Sequence, residues 1–337
     1  MVTIKDVARM AGVSVSTVSN ALNDSPKVVL ETKAKVLEMA RQLGYVPNLN
    51  ARRLKNRKTG NLGLFLPNFG GTYYVHLTQA MYLACKDLGY SLLLHISDSL
   101  SSEALASVIL SSNIDGAVVL NEHLEAPEVP LILNREMPVV FLDKDLRGSN
   151  HSCVLIDNAQ GIRACLDYFH SLGHRRITLV RGFPNFDEAQ RFDAFEAGVA
   201  TLGLEVDKVL WGWFSVETAC QEILRARDAD PDWVPTAILC ANDDMAKGAI
   251  DALGRLGLRV PEDTSVVGFD DLDFATGARP PLTTVHNPVQ EVGRTAITEL
   301  VRLQDPDEEG RMVVLPTRLV LRDSCRPPQL PQSTSFE

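Results

Sequence analysis

Two pairs of adjacent carboxylates, Asp243-Asp244 and Asp270-Asp271, have the residue types that bind a metal or share a proton. Neighbours on a strand end point apart, and no histidine stands at a supporting spacing, so a joint metal site is not expected. His170 and His174 have the spacing of zinc ligands on one helix, but Gly173 between them ends that helix. The cysteines (Cys85, Cys153, Cys165, Cys220, Cys240, Cys325) form no CxxC and read as small buried apolar residues. There is no GxSxG, P-loop or GxGxxG motif, and Gly70-Gly71 is a turn signal without the rest of a phosphate loop. An enzyme and a cofactor are therefore not expected.

Binding chemistry remains. Polar residues repeatedly follow apolar runs. Phe65-Leu66 leads to Asn68, Gly70-Gly71 and Tyr73-Tyr74; Phe141-Leu142 leads to Asp143; Cys240-Ala241 leads to Asn242-Asp243; Gly268-Phe269 leads to Asp270-Asp271. Each Asp or Asn could simply cap the next helix. Several in one chain favour a shared pocket, provided the runs are strands whose ends converge.

The elements that would position them are legible. Runs at 62–66, 91–96, 116–120, 139–142, 154–156, 177–180, 237–240 and 265–269 are apolar and alternate with helical stretches. Such runs read as parallel strands buried on both faces, hence a doubly wound α/β fold. They are too many for one small sheet, so two lobes are expected. Ligands in such folds bind outside the carboxyl ends of the strands.

The first sixty residues differ. They hold eleven Lys and Arg against four Asp and Glu, whereas the rest holds 22 against 39, within 337 residues of net charge −10. A basic module on an acidic body confines phosphate contact to the module. Thr3 and Asp6 have a capping-box spacing, and Ile4, Val7, Ala8 and Ala11 repeat at helical intervals. Gly12-Val13 stops that helix, Ser14 caps a second from Val15 to Leu22, and a third runs from Leu30 to Leu43. Two short helices around a Gly-containing turn form a helix-turn-helix. Val15, Ser16, Thr17, Ser19 and Asn20 are small or hydrogen-bonding, as a surface against base edges requires. A protein-binding three-helix bundle has the same pattern. After Tyr45-Val46-Pro47-Asn48, the basic stretch 49–58 carries Leu54, an apolar residue suited to wedging into a minor groove.

Thr3-Ile4-Lys5-Asp6-Val7-Ala8, Ala11-Gly12-Val13-Ser14, Thr17-Val18-Ser19 and Tyr45-Val46-Pro47-Asn48 together resemble the signature of the LacI/GalR family of bacterial transcriptional regulators. Further matches are 242–249, 266–271, 172–177 and 281–285, and the resemblance extends to about Arg322. It implies three segments: a DNA-binding head (1–46), a hinge helix and linker (47–60), and a two-lobed effector and dimerisation domain (61–325); the remaining tail (326–337), rich in Pro, Gln and Ser, is expected to be disordered. The effector domain would resemble the sugar-binding proteins of the periplasm. By position, Val15, Ser16, Thr17, Ser19 and Asn20 read DNA, and Asn50, Leu54 and Lys55 act from the hinge. Many members carry Arg where this chain has Asn20. Tyr73, Tyr74, Asp143, Arg191, Phe214, Asn242 and Asp270 would line an effector cleft. Ala194 departs from the Gly usual near Arg191.

The implied protein is a ligand-responsive repressor and homodimer on a pseudopalindromic double-stranded operator, cytoplasmic and nucleoid-associated, with no membrane span. No heptad follows Arg322, which favours a dimer over a tetramer. Carboxylates, an amide and a guanidinium beside flat rings suit a sugar or polyol first, and a nucleobase or nucleoside second. A transport-type binding protein fits less well, because the chain opens with a basic module and not with a signal peptide.

Overall fold

A computed structural model describes residues 2–22, 25–45, 58–97, 100–134, 137–142 and 144–329. The chain divides into two compact units, Met1–Thr59 and Gly60–Glu337.

The first unit contains α1 (Ile4–Ala11), α2 (Val15–Leu22) and α3 (Leu30–Gln42). The Asp6 carboxylate accepts from the Thr3 N–H and hydroxyl, at 3.0 and 2.7 Å, which closes the first turn of α1. Gly12 ends α1 in the left-handed region at φ 68°, where a side chain would be strained. Ser14 Oγ accepts from Thr17 N at 3.0 Å and so caps α2. Val7, Ala8, Ala11, Val18, Ala21, Val36 and Ala40 form the buried centre. Four of the seven are alanine, which lets three short helices approach closely.

The second unit is built on two six-stranded sheets. Its strands are β1 (Asn61–Leu66), β2 (Ser91–Ile96), β3 (Ala117–Val119), β4 (Val139–Phe141), β5 (His151–Ile156), β6 (Arg176–Arg181), β7 (Glu205–Trp211), β8 (Ala237–Cys240), β9 (Ser265–Asp270), β10 (Thr283–His286), β11 (Met312–Leu315) and β12 (Arg318–Val320). One sheet has the order β11-β5-β4-β3-β1-β2 and the other β12-β10-β9-β8-β6-β7. Among the described residues, all pairings of these strands are parallel except β10 with β12. This is the expected α/β architecture with two lobes.

All eight expected runs are strands. There are four further strands: β7, β10 and β12 carry polar residues that interrupt the apolar signal, whereas β11, Met312-Val313-Val314-Leu315, is an apolar run the sequence reading passed over. Three of them are outermost in their sheets; on β7 Glu205 is exposed, whereas Asp207 is nearly buried and accepts from Thr178 Oγ1 at 3.0 Å and Trp233 Nε1 at 2.7 Å.

The chain passes between lobes three times, near residues 157, 287 and 316. Two crossings are tied together: Thr317 Oγ1 donates to the Asp157 carbonyl at 2.7 Å, and Asp157 N donates to the Leu315 carbonyl at 2.9 Å. Residues 326–329, expected as the start of an unfolded tail, are held to the second lobe. Arg326 N donates to Ser265 Oγ at 3.0 Å, and Gln329 Nε2 donates to the Glu262 carbonyl at 3.1 Å. No described helix is long and apolar enough to cross a membrane.

Candidate ligand cleft and nucleic-acid interface

A cavity of about 680 Å³ opens between the lobes, at the carboxyl ends of the strands of both sheets. Strand β1 delivers Asn68 and, through Gly70-Gly71, Tyr73 and Tyr74 on α4 (Thr72–Asp87). Beyond β3 come Glu122 and His123. From the other lobe, β6 delivers Phe183 and Asp187, β7 delivers Trp213, Phe214 and Glu217, and β8 delivers Asn242 and Asp244. Strand β9 ends at Asp270, and Asn287 follows β10.

Arg191, on α5 (Phe186–Leu202), is the cavity's guanidinium among the described residues. It is fixed on every side. Nε donates to Asn158 Oδ1 at 2.8 Å, Nη1 donates to the Ala241 carbonyl at 2.5 Å, and the group stacks 3.8 Å from the Phe269 ring centroid. Its Nη2 lies 3.9 Å from Asp270 Oδ1. Burial raises the Asp270 pKa to about 6, although Arg191 and the amide of Asn287 (3.1 Å) oppose the rise. Burial, with the charges of Asp187 and Asp270, likewise pushes the Tyr73 phenol up. Tyr73 therefore stays a neutral donor. Asn287 is buried, and its Oδ1 has no partner among the described residues. A ligand hydroxyl or N–H would satisfy it.

The backbone is strained where it reaches this cavity. Trp213 and Phe214 stand at φ 55° and 56°, Asp270 and Asp271 at φ 117° and 57°. Non-glycine residues in these regions collect at functional sites. Gly182 makes room for Phe214, since a Cβ there would lie 2.1 Å from its ring.

The helical unit presents a second candidate surface. Val18 and Ala21 are buried, while Val15 and Ser16 are exposed and Thr17, Ser19 and Asn20 are half-exposed. The inward face of α2 is spent on packing, and the outward face is left for a partner.

The family model for bacterial regulatory proteins of the LacI family matches residues 3–48, and that for a periplasmic binding protein-like domain matches 166–325. The probable HTH-type transcriptional repressor ExuR of Bacillus subtilis (strain 168) is 32% identical over 335 residues, covering 97% of this chain and 99% of that protein. The chain belongs to the LacI family. The HTH-type transcriptional repressor PurR of Pasteurella multocida (strain Pm70) is also 32% identical over 97% of the chain and 99% of its own length. A lac repressor dimer bound to operator and the anti-inducer ONPF matches with TM-score 0.85 at 27% identity, covering 96% of this chain and 99% of that one. The transcriptional regulator CelR–cellobiose complex matches at TM-score 0.70 and 29% identity, covering 96% and 100%. A LacI-family chain is a DNA-binding transcriptional regulator and not an enzyme.

In this LacI-family chain, six of the seven cleft residues expected from the sequence line one cavity: Tyr73, Tyr74, Arg191, Phe214, Asn242 and Asp270. Asp143 lies outside the described residues, as do Asn50, Leu54 and Lys55 of the hinge. Asn242 also caps a helix, accepting from Met245 N at 2.9 Å, so the capping and pocket readings both apply to it. The two aspartate pairs divide as neighbours on a strand end must. Asp244 and Asp270 face the cavity. Asp243 accepts from Leu272 N at 2.8 Å and from Thr284 Oγ1, and Asp271 accepts from His286 and Arg322. His174 is buried and bonded to Thr236, Ser265 and the Arg326 carbonyl, which makes it structural. The sequence reading missed Phe183, Asp187, Trp213, Glu217 and Asn287. Trp213, Glu217 and Asn287 follow β7 and β10, which the sequence did not announce, whereas Phe183 and Asp187 follow β6, an expected strand past which the strand-end rule was not carried.

Proposed function

We propose that this regulator represses transcription by binding a pseudopalindromic operator as a homodimer in the cytoplasm, and that a carbohydrate or polyol in the interlobe cleft changes its operator affinity. Val15, Ser16, Thr17, Ser19 and Asn20 read the major groove. Asn50 and Lys55 contact the DNA from the hinge, and Leu54 wedges into the minor groove. Recognition helices of two protomers related by a twofold axis require a twofold-related site.

The observation that carries the effector reading is the charge of the cleft. Among the described residues, the carboxylates of Glu122, Asp187, Glu217, Asp244 and Asp270 face one guanidinium, Arg191, and the imidazole of His123. A phosphate or a uronate would meet a surplus of like charge. A neutral polyol finds paired acceptors for adjacent hydroxyls, donors in Arg191 and Tyr73, and apolar ring faces in Tyr74 and Phe214. A nucleobase is the second reading, supported by those same flat rings beside the amides of Asn242 and Asn287.

The test is a thermal-shift screen of the full-length protein with neutral sugars and polyols, sugar phosphates, uronates and nucleobases. Hits are then assayed for their effect on binding to DNA selected by the protein from a random pool. A ligand at a hundred times its Kd adds about 2.7 kcal/mol of stability. Stabilisation by a neutral sugar, with altered DNA affinity, is expected. Preference for phosphates or uronates overturns the charge argument, and a response to nucleobases alone selects the second reading. Binding that leaves DNA affinity unchanged removes the regulatory role.

A further inference from the structure

Phe183 and Trp213 are large apolar side chains that the fold does not bury. They are 38% and 49% exposed, and neither belongs to any buried cluster among the described residues. Both nonetheless line the cleft. Their ring centroids are 5.8 Å apart at an interplanar angle of 50°. Deeper in the same cavity sit the nearly buried polar groups Arg191, Asn242 and Asn287. The cleft is thus graded, from a buried hydrogen-bonding floor to an open aromatic rim.

The rim is held in place from behind. Trp211 lies 5.8 Å from Trp213. The Arg181 guanidinium stacks between Trp211, at 4.5 Å, and Phe192, at 3.5 Å. Glu188 accepts two hydrogen bonds from that guanidinium, at 2.6 and 2.8 Å, and is itself buried. The backbone adds its own fixture: Gly212 N and Trp213 N both donate to the Arg181 carbonyl, at 2.8 and 3.2 Å. The left-handed turn at Trp213 and Phe214 places consecutive aromatics on two levels. Phe214 packs against the second lobe's core, while Trp213 joins Phe183 at the rim. Folding alone gains little from exposing two aromatic faces, one of them in a strained turn.

Resting on the carbohydrate reading above, we propose that the effector contains at least two sugar rings, the outer one stacked on the shelf formed by Phe183 and Trp213. The C–H face of a pyranose is apolar and flat, and its hydroxyls radiate from the edge. The shelf accepts the face, and the Asp187 and Glu217 carboxylates, four residues beyond Phe183 and Trp213, supply acceptors for the edge. A cavity of about 680 Å³ exceeds what one hexose fills and falls within the roughly 300–1,000 Å³ of sites for larger ligands. A prearranged shelf costs no ordering when ligand arrives.

The experiment is calorimetry on the full-length protein with matched sugars, glucose against cellobiose and maltose and galactose against lactose, alongside Trp213→Asn and Phe183→Ala. Asn tolerates the left-handed φ that Trp213 occupies, and thermal unfolding verifies that each variant is folded. In the unmodified protein one disaccharide should bind at least tenfold more tightly than its monosaccharide and shift the tryptophan emission. Each variant should weaken that disaccharide 10- to 100-fold, at least fivefold more than it weakens the monosaccharide. Equal losses for both sugars, or a monosaccharide that binds as tightly as its disaccharide, overturn the shelf alone. A blank with every sugar overturns the carbohydrate reading and the shelf with it.

Discussion

Asp270 is the residue whose chemistry most constrains the cleft. Its carboxyl is raised to about 6 by burial, against 3.8 in an open chain. The folded protein therefore binds this proton more tightly than the unfolded chain does. The resulting stabilisation is complete below pH 3.8 and lost as pH rises through 6. Asp270→Asn lacks this loss. Its stability relative to the parent protein should grow by on the order of 2 kcal/mol between pH 4 and pH 7. Urea denaturation at both pH values checks the sign, and an unchanged difference would show that Arg191 compensates the charge in full. The same variant should lose its response to the sugar identified in the screen. A group that destabilises the fold at neutral pH and lines a cavity fits a residue kept for binding.

At the scale of single elements, α2 depends on its first residues. Ser14 Oγ accepts from Thr17 N and shares hydrogen bonds with the hydroxyls of Ser16 and Thr17. An eight-residue helix has little stability of its own. Ser14→Ala should cost about 1 kcal/mol, and amides of Val18 to Leu22 should exchange about fivefold faster. DNA binding should weaken in parallel, whereas unaltered exchange would mean that packing on α1 and α3 suffices. Elements with internal signals were readable in advance: α1 from Thr3, Asp6 and Gly12, and the buried strands from their apolar runs. β7 was not, because its Glu205, Asp207 and Lys208 break the run that a central strand would show. With β7 went Trp213 and Glu217. Tyr73 and Asp270 were legible because each follows an unmistakable strand. Asn287 follows β10, which is too short and too rich in threonine to announce itself.

The whole molecule turns on the segments that cross between lobes. Thr317 on one crossing donates to the Asp157 carbonyl on another. Thr317→Val should lower the melting temperature of the second unit by about 2–4 °C, for about 1 kcal/mol lost. A ligand that changes lobe closure should then alter DNA affinity less per molecule bound. A full ligand response with a lowered melting temperature would confine Thr317 to a stability role. The crossings also order the chain in time. Strand β11 joins β5 across more than 150 residues, and β12 completes the opposite sheet only a few residues later. The basic head leaves the ribosome well before residues 312–320, so the head has all its residues long before either lobe does. Both sheets wait for residues 312–320. During synthesis the growing polypeptide can offer a nucleic-acid-reading surface, but not a finished cleft to govern it.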